Sequence, residues 1–103
     1  MYRPKFEIFT GIDQQFYFRL RAANSEIILA SEGYTSKQSC SGGIAAVKAN
    51  APFDNRYVRS DKPNNFSFNL IAANGAIIGR SESYTTAQSR EIGITAVKRD
   101  APM

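Results

Sequence analysis

Residues 20–52, set over residues 70–102 at an offset of 50 with no gap, agree at nineteen of 33 positions. The identities include Leu20, Ala22-Ala23-Asn24, Ile27-Ile28, Ser31-Glu32, Tyr34-Thr35, Gln38-Ser39, Gly43-Ile44 and Val47-Lys48, and Phe16 and Phe18 recur upstream as Phe66 and Phe68. A duplicated chain folds either as two small domains or as one domain with approximate twofold symmetry. Fifty residues are too few for a self-sufficient core without a disulfide or a structural metal. With one cysteine and no histidine, this chain has neither staple to hand. One domain over residues 1–103 is therefore expected, with internal repeats at 5–52 and 55–102.

Each repeat reads as three strands and a helix. Phe16, Phe18, Leu20 and Ala22 alternate with Tyr17, Arg19 and Arg21, the period of a half-buried strand. Asn24-Ser25 and Asn74-Gly75 read as two-residue hairpin turns. That register sets Ala22 opposite Ile27, Leu20 opposite Leu29 and Phe18 opposite Ser31. Shorter strands, Lys5–Thr10 and Arg56–Ser60, precede the hairpins. Thr35 with Gln38, and Thr85 with Gln88, have capping-box spacing and announce a helix. Its apolar stripe is Cys40, Ile44, Val47 and Ala51, and it has stopped by Pro52. Gly43 and Gly93, inside the two helices, point to a close approach with no room for a Cβ. The expected fold is α+β: two tandem β-β-β-α repeats sharing one mostly antiparallel sheet, both helices on one face, related by a pseudo-twofold axis. The expected core is Phe16, Phe18, Leu20, Ile27, Ile44, Val47, Phe66, Phe68, Leu70, Ile77, Ile94 and Val97.

The residues just quoted, together with Ser31-Glu32-x-Tyr34-Thr35-Ser36, resemble the YegP-like family of small bacterial proteins, mostly of unknown function. The resemblance runs from about residue 5 to residue 102. It implies tandem β3α repeats, or dimers of one repeat, sharing a sheet. It supplies no catalytic residues to carry over.

Function is read mainly by subtraction. Without histidine, every scheme that needs an imidazole is out, and Cys40 has no partner to activate it. Its counterpart is Arg90, and its place on the apolar stripe suits a small buried hydrophobe. Ser31, Glu32, Tyr34 and Thr35 recur in both repeats and invite an acid–base reading, but a helix N-terminus accounts for the same residue types. No phosphate loop, metal cluster or paired-carboxylate spacing is present, so no cofactor and no metal are expected, and no enzyme. The net charge of +4 is spread evenly over both halves. No apolar run is long enough to cross a membrane. The start, Met1-Tyr2-Arg3-Pro4-Lys5-Phe6, lacks the apolar stretch of a secretory leader, which with the lone cysteine points to the cytoplasm.

The sheet face away from the helices is the candidate site. Alternation assigns to it Tyr17, Arg19, Arg21, Ile28, Ile71, Ile78 and Arg80, joined by Phe9, Tyr57 and Arg59. This mixture of cationic, aromatic and aliphatic groups suits a partner surface. The expectation is a non-catalytic module that meets a protein partner, or a second copy as a homodimer, around Tyr17, Arg19, Arg21, Ile28, Ile78 and Arg80. Weak binding of single-stranded nucleic acid on the same face is the alternative, and an enzyme working without histidine or metal is a remote one.

Overall fold

The computed structural model describes residues 3–102; Met1 and Tyr2, read for a leader, and Met103 lie outside it. Strands β1 (Lys5–Thr10), β2 (Phe16–Arg21) and β3 (Ile27–Ala30) lead into helix α1 (Lys37–Asn50). After a single 3-10 turn at Asp54–Arg56 come β4 (Tyr57–Lys62), β5 (Asn65–Ile71), β6 (Ile77–Arg80) and α2 (Ala87–Asp100). The six strands form one sheet in the order β1-β2-β3-β6-β5-β4, every neighbour antiparallel. At its centre Ala30 pairs with Arg80, two residues 50 apart, so the pseudo-twofold axis passes between them. Helix α1 lies over β2 and reaches β5 and β6; α2 lies over β5 and reaches β3. Each repeat thus covers part of the other.

Phe18, Leu20, Leu29, Val47, Phe68, Leu70, Ile94 and Val97 are buried between sheet and helices, with Cys40 among them. Phe16 and Ile44 are half-buried against this cluster, and Phe66 is half-buried. Gly43 and Gly93 have the close approach read from the sequence. An added Cβ would fall on the hydroxyl of Tyr34 or of Tyr84, so each tyrosine fills the space its glycine leaves.

Four local expectations are corrected. The helix caps sit one residue later than the capping-box reading put them. Ser36 and Thr86, in extended conformation, accept the N–H of Ser39 and Ser89 at 3.0 Å, while Thr35 and Thr85 are exposed. The hairpin loops have three residues rather than two: Ala22 N–H donates to Glu26 C=O, and Ser25 N–H to Ala22 C=O. Ser25 has φ 72°, and Gly75 has φ 87° in the matching position. This is the turn-plus-bulge hairpin, which inserts one extra residue into β3 and into β6. Leu20 still faces Leu29, but Arg21, not Ala22, faces Ile27.

The longer loop shifts the register by one residue and exchanges the sides of the strand's first residues, until an irregularity between Ile27 and Leu29, and between Ile77 and Gly79, restores the expected pairing. Ile28 and Ile78 therefore lie on the helix side, Ile28 only 5% exposed, and not on the open face expected for them. Ile27 and Ile77, expected in the core, lie on the open face opposite Arg21 and Ile71. The fourth correction has the same origin. The first turn of repeat one is a residue longer, so β1 and β4 correspond at an offset of 51: Phe6 pairs with Leu20, and Tyr57 with Leu70. Tyr57 and Arg59 consequently point to the helix side. Tyr57 is buried, its hydroxyl donating to Ala51 C=O at 2.7 Å, and Arg59 is tied to Glu91 and Asp54.

Candidate functional site

The helix-free face brings together Tyr17, Arg19, Arg21 and Arg80 from the expected set, with Phe9 and Ile71, and leaves out Ile28 and Ile78. In its first-repeat half β1 supplies Lys5, Glu7 and Phe9, and β2 supplies Tyr17, Arg19 and Arg21 opposite them. Glu7 is the hub. Arg19 Nε and Arg21 Nε reach its Oε1 at 2.8 and 2.7 Å, and Lys5 Nζ lies 3.5 Å from Oε2. The two guanidiniums hold the Glu7 carboxyl well below its ordinary value, at about 2. Three cations meet one carboxylate, so positive charge is in surplus here. Arg19 also sits 4.7 Å above the Phe9 ring, which stacks on Tyr17 at 5.7 Å. The Tyr17 hydroxyl donates to Asp13, which steadies the β1–β2 turn.

The second-repeat half lacks this cluster. Val58 stands where Glu7 does, Ser60 where Phe9 does, and Ser67, Asn69 and Ile71 replace Tyr17, Arg19 and Arg21. Near the axis Arg80 crosses to Glu32 of the other repeat at 2.6 Å. Phe9, Arg19, Ile27, Ala30 and Arg80 border a depression of about 250 Å³. Phe9, Val58 and Ile77 stay 39%, 49% and 38% exposed, a large share for apolar side chains on one sheet face. Sequence reasoning missed Glu7, Val58 and Ile77. Glu7 was legible, since it lies two residues from Phe9 on the same strand; Ile77 was hidden by the bulge.

The repeated Ser-Glu pair is structural. Ser31 Oγ accepts Phe18 N–H at 2.8 Å and donates to Glu32 C=O, and Ser81 does the same with Phe68 and Glu82. The hydroxyl takes over a ladder bond where the strand leaves the sheet. Burial pushes the Cys40 thiol up and away from nucleophilic behaviour. On the helix side, a groove of about 510 Å³ runs between α2 and the first hairpin, floored by Ile28, Gly93 and Ala96. Among the described residues no three metal-ligating side chains gather, and no helix is long and apolar enough to cross a membrane.

Known proteins share this architecture. The solution NMR structure of yegP from Escherichia coli, a protein of unknown function, superposes with a TM-score of 0.91 at 48% identity, covering 100% of this chain and 90% of that one. The solution NMR structure of UPF0339 protein SO3888 from Shewanella oneidensis gives 0.90 at 38% identity, covering 97% and 86%. By sequence, the UPF0339 protein in the ptx operon 5′ region of Stutzerimonas stutzeri is 52% identical over 54 residues, 52% of this chain and 49% of that protein. UPF0339 protein YegP of Escherichia coli K12 is 53% identical over 59 residues, 57% and 54% of the two chains. The chain thus spans about half the length of these curated relatives in alignment. The family described as "Domain of unknown function (DUF1508)" matches twice, over residues 13–57 and 61–103. With one match on each repeat, the chain belongs to the DUF1508 family, a family of unknown function.

Proposed function

We propose that this protein is a non-catalytic interaction module whose helix-free sheet face docks a protein surface carrying both acidic and apolar groups. One observation carries the reading. Lys5, Arg19 and Arg21 share a single carboxylate on the same face that leaves Phe9, Val58 and Ile77 open to solvent. Surplus charge steers and orients a partner, and the apolar half supplies area to bury. Nucleic acid fits less well, because one aromatic stack at one end is a poor track for successive bases. The cytoplasm is taken as its compartment, on the strength of a lone thiol.

The test is a photo-crosslinking amino acid placed at Ile77, with Thr95 on the exposed side of α2 as the control position. The expected result is a discrete adduct from position 77, lost when Arg19 and Arg21 are both replaced by alanine, and none from position 95. Adducts of equal yield from both positions, or from neither, would overturn the reading.

A further inference from the structure

The sheet has two outer strands, and their unpaired backbone groups can be assigned. Phe16 exchanges both backbone hydrogen bonds with Tyr34, and Phe18 C=O accepts from Ser31, so the even-numbered residues of β2 bond towards β3. The odd-numbered ones, Tyr17, Arg19 and Arg21, bond towards Phe9, Glu7 and Lys5, and Gly11 N–H to Gln15 C=O continues the series. Alternation in an antiparallel ladder then turns the N–H and C=O groups of Phe6, Ile8 and Thr10 outward, away from the sheet. The same accounting on β4 turns Tyr57, Arg59 and Asp61 outward, since Phe66 bonds to Tyr84.

The two edges are protected very differently. On β4, Arg59 is bound by Glu91 and Asp54, and Asp61 by Arg90, so α2 clamps that edge with charge, and Pro63 follows it. Inward-pointing charges and proline are devices that stop a sheet from accepting another strand. On β1 the equivalent positions are Phe6, Ile8 and Thr10, and α1 carries Cys40 and Ser41 where α2 carries Arg90 and Glu91. On the helix side of that edge no ion pair forms among the described residues; Lys48 of α1 lies over the Phe6 ring at 5.6 Å.

We propose that the outer edge of β1 is a strand-addition site for an extended peptide of alternating apolar and acidic residues. The peptide's backbone pairs with Phe6, Ile8 and Thr10. Its side chains then alternate between the two sides of the sheet. Those on the helix side meet the half-buried Phe6 and Ile8; those on the open side lie beside Lys5 and Glu7, with Arg19 and Arg21 one strand further in supplying the surplus positive charge. The charge chooses the occupant: a second copy of β1 would bring a second cation cluster beside the first, whereas acidic residues neutralise the one present. The inference rests on the partner reading above and adds the partner's conformation and chemistry.

The probe is a capped peptide of four Val-Glu units, with four Val-Lys units as the control, titrated into the isotopically labelled full chain and followed by amide exchange. Saturation is expected to slow exchange at Phe6, Ile8 and Thr10 by at least tenfold. Lys5, Glu7 and Phe9, already paired to β2, should be unchanged. The Val-Lys peptide should bind at least tenfold more weakly. Thr10→Pro removes one outward N–H at an exposed position and should weaken binding several-fold with the melting temperature kept; Ile8→Pro should weaken it further. Binding that leaves exchange at Phe6, Ile8 and Thr10 unaltered, with shifts at Arg19, Arg21 and Ile77 instead, overturns strand addition and leaves the face reading standing. Equal binding of the two peptides, or none of either, overturns strand addition too, and the crosslink at position 77 then judges the face by itself.

Discussion

On β1 the helix-side positions are Phe6, Ile8 and Thr10; on β4 they are Tyr57, Arg59 and Asp61. On the opposite face the order reverses: Lys5, Glu7, Arg19 and Arg21 in the first repeat face Val58, Asn69 and Ile71 in the second. The same backbone plan thus keeps its charges beneath a helix in one copy and on the open sheet in the other. In repeat two the charges are spent within the fold, closing an edge against α2. In repeat one they stand in surplus beside an edge that, among the described residues, no ion pair closes. Duplication permits such a division, because the shared plan already builds the core and leaves each outer strand free to diverge.

At the axis the copies cannot be alike. Leu29 and Gly79 are equivalent residues on the helix side of β3 and β6, and a Cβ on Gly79 would meet the Leu29 side chain at 2.6–3.0 Å. One leucine fills the room that two would contest.

The largest effect is expected from separating the copies. A chain of residues 3–52 alone keeps β1, β2, β3 and α1 but loses the β6 pairing and the cover that α2 gives β3. A unit of this size buries too little surface to offset its chain entropy. It should sediment as an unfolded monomer, or as a dimer in which a second copy stands in for repeat two. A cooperative melt from a monomer at low concentration would break the claim that the repeats depend on each other.

Next comes the axis itself. Leu29→Ala should cost about 2–5 kcal/mol in urea unfolding, as for other fully buried leucines. Gly79→Leu should cost about 1–3 kcal/mol by overpacking against Leu29. Carrying both Leu29→Ala and Gly79→Leu moves the leucine to the other copy, and this double variant should be more stable than the two single costs added together would make it. Simple additivity would mean that the two sites do not share one space.

How far these features could be read in the sequence follows from the same geometry. The duplication, the alternation in β2 and β5 and the helix stripe were all legible, because each depends on period and spacing alone. So was the crowding at Gly43 and Gly93. The open face was half legible: Tyr17, Arg19, Arg21 and Arg80 lie where alternation puts them, while Ile28 and Ile78 do not. The longer loop at Ser25 and Gly75 differs by one residue of backbone, and Ala-Asn-Ser or Ala-Asn-Gly reads equally well as a two-residue turn or as a three-residue loop. The extra residue in the first turn likewise moved Tyr57 and Arg59 to the far side. Period-two reasoning holds inside a strand and loses its phase wherever a residue is inserted.

A smaller effect separates the helices. Arg90 is 5% exposed, lies over the Phe66 ring at 5.7 Å and reaches Asp61 and Glu91; Cys40, its counterpart, is fully buried in the core. Both acidic partners are substantially exposed, so water screens much of the ion-pair energy. Arg90→Ala is expected to cost about 1–2 kcal/mol in urea unfolding, mainly from packing lost over Phe66 and a broken edge clamp. Cys40→Ala should cost about 1 kcal/mol. If Arg90→Ala proves the milder of the two, α2 does not hold β4 through charge.

The smallest effect tests the open face through pH. Glu7 titrates at about 2 in the folded chain against an ordinary 4.5, because Arg19 and Arg21 donate to its carboxylate. The folded value is the lower one, so the unfolded chain takes up the proton first. The stabilisation from this cluster is therefore complete above the ordinary carboxylate range and is lost as pH falls from there through about 2. Asp54, held at about 2 by Lys98 and Arg59, adds a second such contribution on the helix side of repeat two. Glu7→Gln should flatten part of the acid limb of stability against pH, and Asp54→Asn a separate part, with the two effects additive across the molecule. Only the first should alter the face: with its carboxylate gone, Arg19 and Arg21 are left unneutralised, and the Val-Glu peptide should bind a few-fold more tightly. Glu7→Gln that leaves both the acid limb and the peptide affinity unchanged would mean that the cations of repeat one are solvated singly, and the contrast with Val58 in repeat two would carry no electrostatic weight.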